Sequence, residues 1–269
     1  MTETDKSRLI DLDEVVATKF KGKKIPGFVM RFLKSYVHQD FLNSIIEKNG
    51  DGINFCTGLI QELNITLDVK GLENVPADGT LYTFASNHPL GGVDGFSLAS
   101  IIGKKFGRVR IPVNDFLMHI KPIAPCCVPV NKMGSQSRDL PRLLDEIFKS
   151  GDQMLIFPAG LCSRKIDGKI EDLPWTKTFI NKSIESRRAI VPVHFIGQNS
   201  NRFYRVANLC KKLKLKLNMA MFMLPDEMFR ARGSSYTIVF GKPIPVESFD
   251  SSRTRLEWAA EVRKQVYEL

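Results

Sequence analysis

The 269-residue chain lacks an apolar run long enough to cross a bilayer as a helix, for which about 18 or more residues in succession are needed. Its opening segment, Met1 to Glu14, is acidic and polar, which excludes a secretory signal. Cysteine is sparse: five residues, an odd number without paired metal-ligand spacing, fit reduced thiols in a cytosolic protein. Adjacent Cys126 and Cys127 lie in an apolar stretch and read as core residues rather than a redox pair. There are four histidines, and no HExxH, paired-cysteine or Asp-rich loop, so no bound metal is expected. Gly103-Lys104-Lys105 and Gly241-Lys242-Pro243 lack the upstream glycine and the following Ser/Thr of a P-loop. Ser135 and Ser234 have no nucleophile-elbow context, so a covalent serine intermediate is not expected. No linker, low-complexity tract or internal repeat divides the chain, and with 43% hydrophobic content it can bury a sizeable core as one enzyme unit.

What the chain has in excess is positive charge, formally +10. Arg202 to Lys216 carries Arg202, Arg205, Lys211, Lys212, Lys214 and Lys216 with no acid, interleaved with Phe203, Tyr204, Leu209, Leu213 and Leu215. Lys19 to Lys34 is a second basic and apolar stretch, through Phe20, Phe28, Met30 and Phe32. Such stretches suit the surface of an anionic membrane, with basic heads among the lipid head groups and apolar side chains below them. The plainer reading is a solvated helix face packed on the core. No nucleic-acid motif accompanies the charge, and no nucleic-acid partner is expected.

Hydrophobic periodicity predicts an α/β fold, a mixed sheet flanked by helices behind a helical N-terminal segment, residues 1–64, followed by the main domain, residues 65–269. Helical patterns cover Ile10 to Phe20, Gly27 to His38, Asp40 to Lys48, Ile53 to Leu63, Leu98 to Lys105, Ser137 to Lys149, Lys177 to Ser186 and Arg253 to Tyr267. Strands are expected at Ile65 to Val69, Leu81 to Ala85, Val109 to Val113, Cys126 to Val130, Met154 to Phe157, Ile190 to Phe195 and Tyr236 to Phe240.

The most specific chemistry follows the second of these strands, in Asn87-His88-Pro89-Leu90-Gly91-Gly92-Val93-Asp94-Gly95. A histidine and an aspartate on a glycine-rich loop can do general-base work. The carboxylate accepts a hydrogen bond from one ring nitrogen, fixes the tautomer and leaves the other nitrogen free to take a hydroxyl proton. His38, His119 and His194 lie in a basic helical pattern, an apolar run and a strand, and read as surface or core residues.

Further along come Phe157-Pro158-Ala159-Gly160-Leu161-Cys162-Ser163-Arg164-Lys165 and Ile190-Val191-Pro192-Val193-His194-Phe195. From about Gly71 to Pro245, the order and spacing of these blocks resemble the glycerolipid acyltransferase family, typified by 1-acylglycerol-3-phosphate acyltransferase. That family carries an NH-four residues-D block, an arginine-bearing segment, an FPEG block and a VP block. The resemblance implies His88 and Asp94 as the catalytic pair. It implies substrate binding by Asn87, Gly91, Gly92, Phe157, Pro158, Ala159, Gly160, Ser163, Arg164 and Lys165, with Lys132 standing in for the second block's arginine.

The departures are informative. Five residues rather than four separate His88 from Asp94, Ala159 replaces the FPEG glutamate, and Cys162 stands where an arginine is usual. The NHPLGG and FPAG forms resemble the bacterial subgroup that acylates N-(3-hydroxyacyl) amino acids, giving ornithine or glycine lipids. The implied reaction is direct acyl transfer from an acyl carrier protein or coenzyme A thioester to a lyso-lipid hydroxyl, with no bound cofactor. Backbone N–H groups near Gly160, together with Lys132, are expected at the oxyanion. A basic surface would suit both an acidic carrier protein and the cytoplasmic face of the membrane. Acylation of 1-acylglycerol 3-phosphate, or a non-catalytic membrane-binding role, are the alternatives.

Overall fold

The computed structural model describes residues 9–13, 26–114, 117–131, 140–213 and 219–269. Lys132, most of the Ile10 to Phe20 pattern and the outer parts of both basic stretches lie outside them. Helices α1 (Gly27–Val37), α2 (Gln39–Lys48) and α3 (Ile53–Glu62) precede strand β1 (Thr66–Lys70) and strand β2 (Tyr82–Ser86). Then come α4 (Val93–Phe106), β3 (Val109–Asn114), β4 (Cys127–Asn131), α5 (Leu140–Phe148) and β5 (Gln153–Ile156). A hairpin of β6 (Arg164–Ile166) and β7 (Lys169–Glu171) leads to α6 (Thr178–Glu185) and β8 (Ala189–Ile196). The chain continues through α7 (Asn201–Lys212), α8 (Leu224–Arg230), β9 (Ser235–Phe240) and α9 (Arg255–Glu268).

The main sheet has the order β1-β9-β8-β2-β5-β3-β4, parallel throughout except that β9 runs antiparallel to β8. This is the expected α/β architecture of a mixed sheet flanked by helices. Strand β2 is buried along its whole length, as a central strand covered on both faces must be, which is why it reads as a continuous apolar run rather than an alternation. Successive side chains still go to opposite layers. Phe84, Val191, Val193 and Phe195 join Phe55, Leu59, Leu98 and Ile102 of α3 and α4, while Ala85 and Ile190 pack on Phe179, Ala259, Val262 and Val266 of α6 and α9. Helix α9 starts from a Thr254–Glu257 capping box, and its buried residues recur at the spacing of one helical face. Leu42, Ile45 and Ile46 of α2 belong to the same core as the sheet.

Three features depart from the sequence reading. Helix α4 begins at Val93, so Asp94 lies in its first turn and not on the glycine loop. The β6–β7 hairpin is unexpected, because three-residue strands rich in charge carry no periodic signal. Helix α8 also falls where no helix was predicted, whereas α7 forms in the basic stretch whose plainer reading was a helix face packed on the core; Ser200 caps α7 through the Phe203 N–H. No helix among the described residues is long and apolar enough to cross a membrane.

Candidate active site

Strand β2 delivers Asn87 and His88 to the end of the sheet. Asn87 is buried and bridges to β8: its Nδ2 donates to the Phe195 carbonyl (2.9 Å) and its Oδ1 accepts from the Phe195 N–H (2.7 Å). The turn that follows is held by Asn199, whose Nδ2 donates to the carbonyls of Pro89 and Leu90. Gly91 has φ +72°, and a β-carbon there would sit 2.3 Å from Cys162 Sγ, so conformation and space both demand glycine.

His88 Nδ1 lies 3.0 Å from Asp94 Oδ2. The same oxygen accepts the N–H groups of Leu90 (2.9 Å) and Gly91 (3.2 Å), and Oδ1 accepts that of Gly95 (2.9 Å). The Asp94 side chain is fully enclosed, while that of His88 keeps 17% exposure. An ionised carboxylate only accepts hydrogen bonds, so Nδ1 carries the proton and Nε2 is the nitrogen open to a reacting group. Burial alone would lower the imidazole pKa, but the Asp94 charge and hydrogen bond, with the Asp172 charge, outweigh it and raise the pKa above the ordinary value. Burial would raise that of Asp94, yet His88 and the backbone donors hold it below the usual carboxylate value. Phe157 stacks on the imidazole at 4.0 Å between ring centroids.

His88 and Arg164 line a cavity of about 330 Å³, and among its described lining residues they are the only ionisable side chains besides cysteine thiols. The rest of the wall is apolar, including Phe96, Ile111, Leu117, Ile123, Leu224 and Met228, with Cys56, Cys126 and Cys127. Arg164 Nη1 donates to the Cys162 and Ser163 carbonyls, and its guanidinium lies 5.9 Å from the Phe203 ring centroid. Burial, then the Asp94 charge, push the Cys162 thiol up to about 12, so it stays protonated near neutrality and offers no thiolate nucleophile.

The other residues singled out in the sequence divide between cavity and framework. Gly91, Gly92, Phe157 and Gly160 line the cavity with Cys162. Ala159 packs against the Trp175–Phe179 cluster, and the Pro158 carbonyl accepts from the Thr176 N–H. Lys165 lies away from the cavity wall, its Nζ 3.4 Å from Asn201 Oδ1. The Gly160 N–H is engaged by the Phe157 carbonyl at 2.9 Å, which leaves an oxyanion to other donors. Ser163 is buried, its N–H on the His88 carbonyl and its hydroxyl on Asp172.

Asp172, Tyr267 and Asn199 escaped the sequence reading. All three act across the fold from positions remote in sequence, and a lone Asp ahead of Leu173-Pro174-Trp175 carries no local signature.

Comparisons with known proteins identify the family. The lyso-glycine lipid O-acyltransferase of Bacteroides thetaiotaomicron is 49% identical over 97% of each chain, and that of Phocaeicola vulgatus is 48% identical over 97% of this chain and 95% of its own. The crystal structure of the 1-acyl-sn-glycerophosphate acyltransferase PlsC from Thermotoga maritima shares the fold, with a TM-score of 0.51 and 16% identity over 90% of this chain and 88% of that one. A sequence profile of the acyltransferase family matches residues 14–269, and with relatives near half identity along almost the whole chain, this protein belongs to that family and is an acyltransferase.

Proposed function

We propose that the protein transfers a fatty acyl group from the thioester of an acyl carrier protein or coenzyme A to the hydroxyl of a lyso-lipid, an N-(3-hydroxyacyl) amino acid with glycine as its head group. The observation that carries this reading is His88, held through Nδ1 by Asp94 at the wall of an otherwise apolar cavity. His88 Nε2 takes the acceptor's hydroxyl proton as the oxygen attacks the thioester carbonyl. The tetrahedral intermediate collapses with loss of the thiolate, which recovers the proton from His88, and the ester is released. No bound cofactor enters these steps. The apolar cavity takes the acyl chain.

Arg164 supplies the charge for the acceptor's carboxylate. Two Nη1 bonds to carbonyls fix the guanidinium at the cavity wall, where its charge can meet an anion. Glycine is favoured over ornithine because no carboxylate is among the described residues of the wall, so a cationic head group would lack a counter-charge. A phosphate acceptor is disfavoured because Cys162, buried against Gly91 and Phe203, fills the place of the family's usual arginine. The names of the two relatives near half identity support the same acceptor class.

Purified protein supplied with thioester donors and competing acceptors, read by mass spectrometry, tests this. N-(3-hydroxyacyl)glycine is expected to exceed both its ornithine counterpart and lysophosphatidic acid in kcat/KM. Arg164→Ala is expected to raise the KM for the glycine acceptor about tenfold or more, with a smaller change in kcat. A clear preference for lysophosphatidic acid would overturn the acceptor assignment.

Membrane attachment is proposed through α1 and α7. Phe28 (76% exposed) and Phe32 (64%) stand out from α1, and Leu209 and Leu213 from α7 and its end. Asp226 of α8 joins the two, pairing with His38 after α1 and with Arg202 of α7. Arg31, Arg205, Lys211 and Lys212 supply basic heads beside these apolar groups. The surface suits the cytoplasmic leaflet, where the thioester donors are. Sedimentation with anionic vesicles should show binding that high salt weakens and that Phe28→Ser with Phe32→Ser reduces. Equal pelleting by the double variant would remove α1 from the attachment.

A further inference from the structure

Asp172 follows β7 and is 4% exposed, yet it does not line the cavity. Its Oδ1 accepts the His88 backbone N–H (3.1 Å) and the Ser163 hydroxyl (2.6 Å), and its Oδ2 accepts the Trp175 indole N–H (3.0 Å). Its own N–H donates to the Tyr267 hydroxyl (2.8 Å), and its carbonyl accepts from Arg263 Nη2 (2.8 Å). The Ser163 N–H meanwhile donates to the His88 carbonyl (2.8 Å). Both polar groups of the His88 main chain are thus held by one Ser163–Asp172 unit, which α9 braces from behind.

The three donors on the Asp172 carboxylate are neutral, so its charge is solvated by hydrogen bonds and has no cation bound directly to it. A buried negative charge held by neutral donors behind a histidine has one electrostatic consequence: it favours the imidazolium. We infer that Asp172 is a positioning residue for the transfer reaction, a second carboxylate that fixes the His88 main chain and stabilises the imidazolium formed when the acceptor hydroxyl is deprotonated. The inference rests on His88 being the base, as proposed above. Its field is among the influences that raise the His88 pKa, after burial, which opposes it, and Asp94.

The groups facing this pair are Asp94 on α4, Arg164 on β6, Cys162 before it, and Tyr267 and Arg263 on α9, with Glu171 bound to Arg263. Cys162 and Tyr267 are both pushed up to about 12, chiefly by burial, and do not change charge near neutrality. Burial also raises the Asp172 carboxyl above the usual value, against the pull of its three donors. The acid limb of the pH profile therefore reports His88 and the two carboxylates together.

The decisive variant is Asp172→Asn in a Trp175→Phe background. The asparagine oxygen can still accept from His88 and Ser163, and phenylalanine removes the indole donor that would oppose the new amide. Charge is lost and shape is kept. Relative to Trp175→Phe alone, kcat is expected to fall about tenfold, both KM values to hold, and the acid limb of kcat/KM to move to lower pH. A profile and kcat equal to the background would overturn the inference, as would a loss of activity that only tracks a lower Tm without moving the limb. Ser163→Ala gives a second check should the double variant not fold. It strips one donor from the carboxylate and is expected to move the limb, to higher pH where Asp172 stays ionised and to lower pH where it takes up a proton, and an unmoved limb would overturn the inference. His88→Ala run in parallel separates the two readings: if it is fully active, the base assignment fails; if it is inactive while the limb stays put in the Asp172 variant, only the role of Asp172 fails.

Discussion

Replacing His88 by alanine is expected to lower kcat for acyl transfer by about 100-fold or more with a limited fall in Tm. The side chain stacks on Phe157 and donates to Asp94, whose carboxylate keeps three backbone N–H donors, and the bonds that fix this segment of chain run through the His88 main chain, which alanine keeps. The loss should therefore be chemical. Of the other ionisable groups along the described cavity wall, Arg164 is a cation, and burial, the first influence on both, pushes Cys127 and Cys162 up to about 12; Cys126 is drawn down by its hydrogen bond with Cys56, which ties that thiol to another thiol and not to His88. A rate within a few-fold of the parent, measured by release of the donor thiol, would remove His88 from the mechanism.

The second large effect is expected from Asp94→Asn, at about 10²- to 10³-fold in kcat. The asparagine oxygen would occupy the place of Oδ2, where three donors converge, and its amide would then face the Gly95 N–H. The tautomer survives, but the charge that stabilises the imidazolium does not. The sign of the pH effect follows. His88 must be neutral to act, so kcat/KM falls as pH drops through its pKa, which in the parent is raised by Asp94 against the opposing effect of burial. Without that carboxylate the imidazole pKa falls, and the acid limb moves to lower pH even as the plateau drops. A limb displaced to higher pH, or a plateau at the parent's level, would contradict the arrangement.

The parts of this site that were legible in the sequence are those in which function and local pattern coincide. The apolar runs of β2 and β8 mark buried parallel strands, and the glycines after β2 mark a turn that only small residues can make, so the location of His88 followed directly. The start of α4 was hidden by the same signal. Gly91, Gly92 and Gly95 read as loop, yet Val93 and Phe96 bury their side chains and the Asp94 carboxylate takes up the Gly95 N–H, which is enough to begin the helix early. Asn87 and Ser163 illustrate another limit. Both are polar residues beside the chemistry, and the bonds that the structure gives them run to the framework, to Phe195 in one case and to Asp172 in the other. Sequence position alone does not tell a group that faces substrate from one that faces the scaffold, because the partner lies on another element.

The close approach of Gly91 to Cys162 links two positions that lie far apart along the chain. A β-carbon at 91 would overlap the sulfur, and it would also lie within 2.9 Å of Leu224, so the turn has no room to retreat on that side. The Gly91 main chain beside that sulfur carries one of the N–H groups that hold Asp94. Positions 91 and 162 are therefore one steric pair written in two places, and a substitution that adds a β-carbon at the first disturbs the carboxylate beneath the histidine before any substrate arrives.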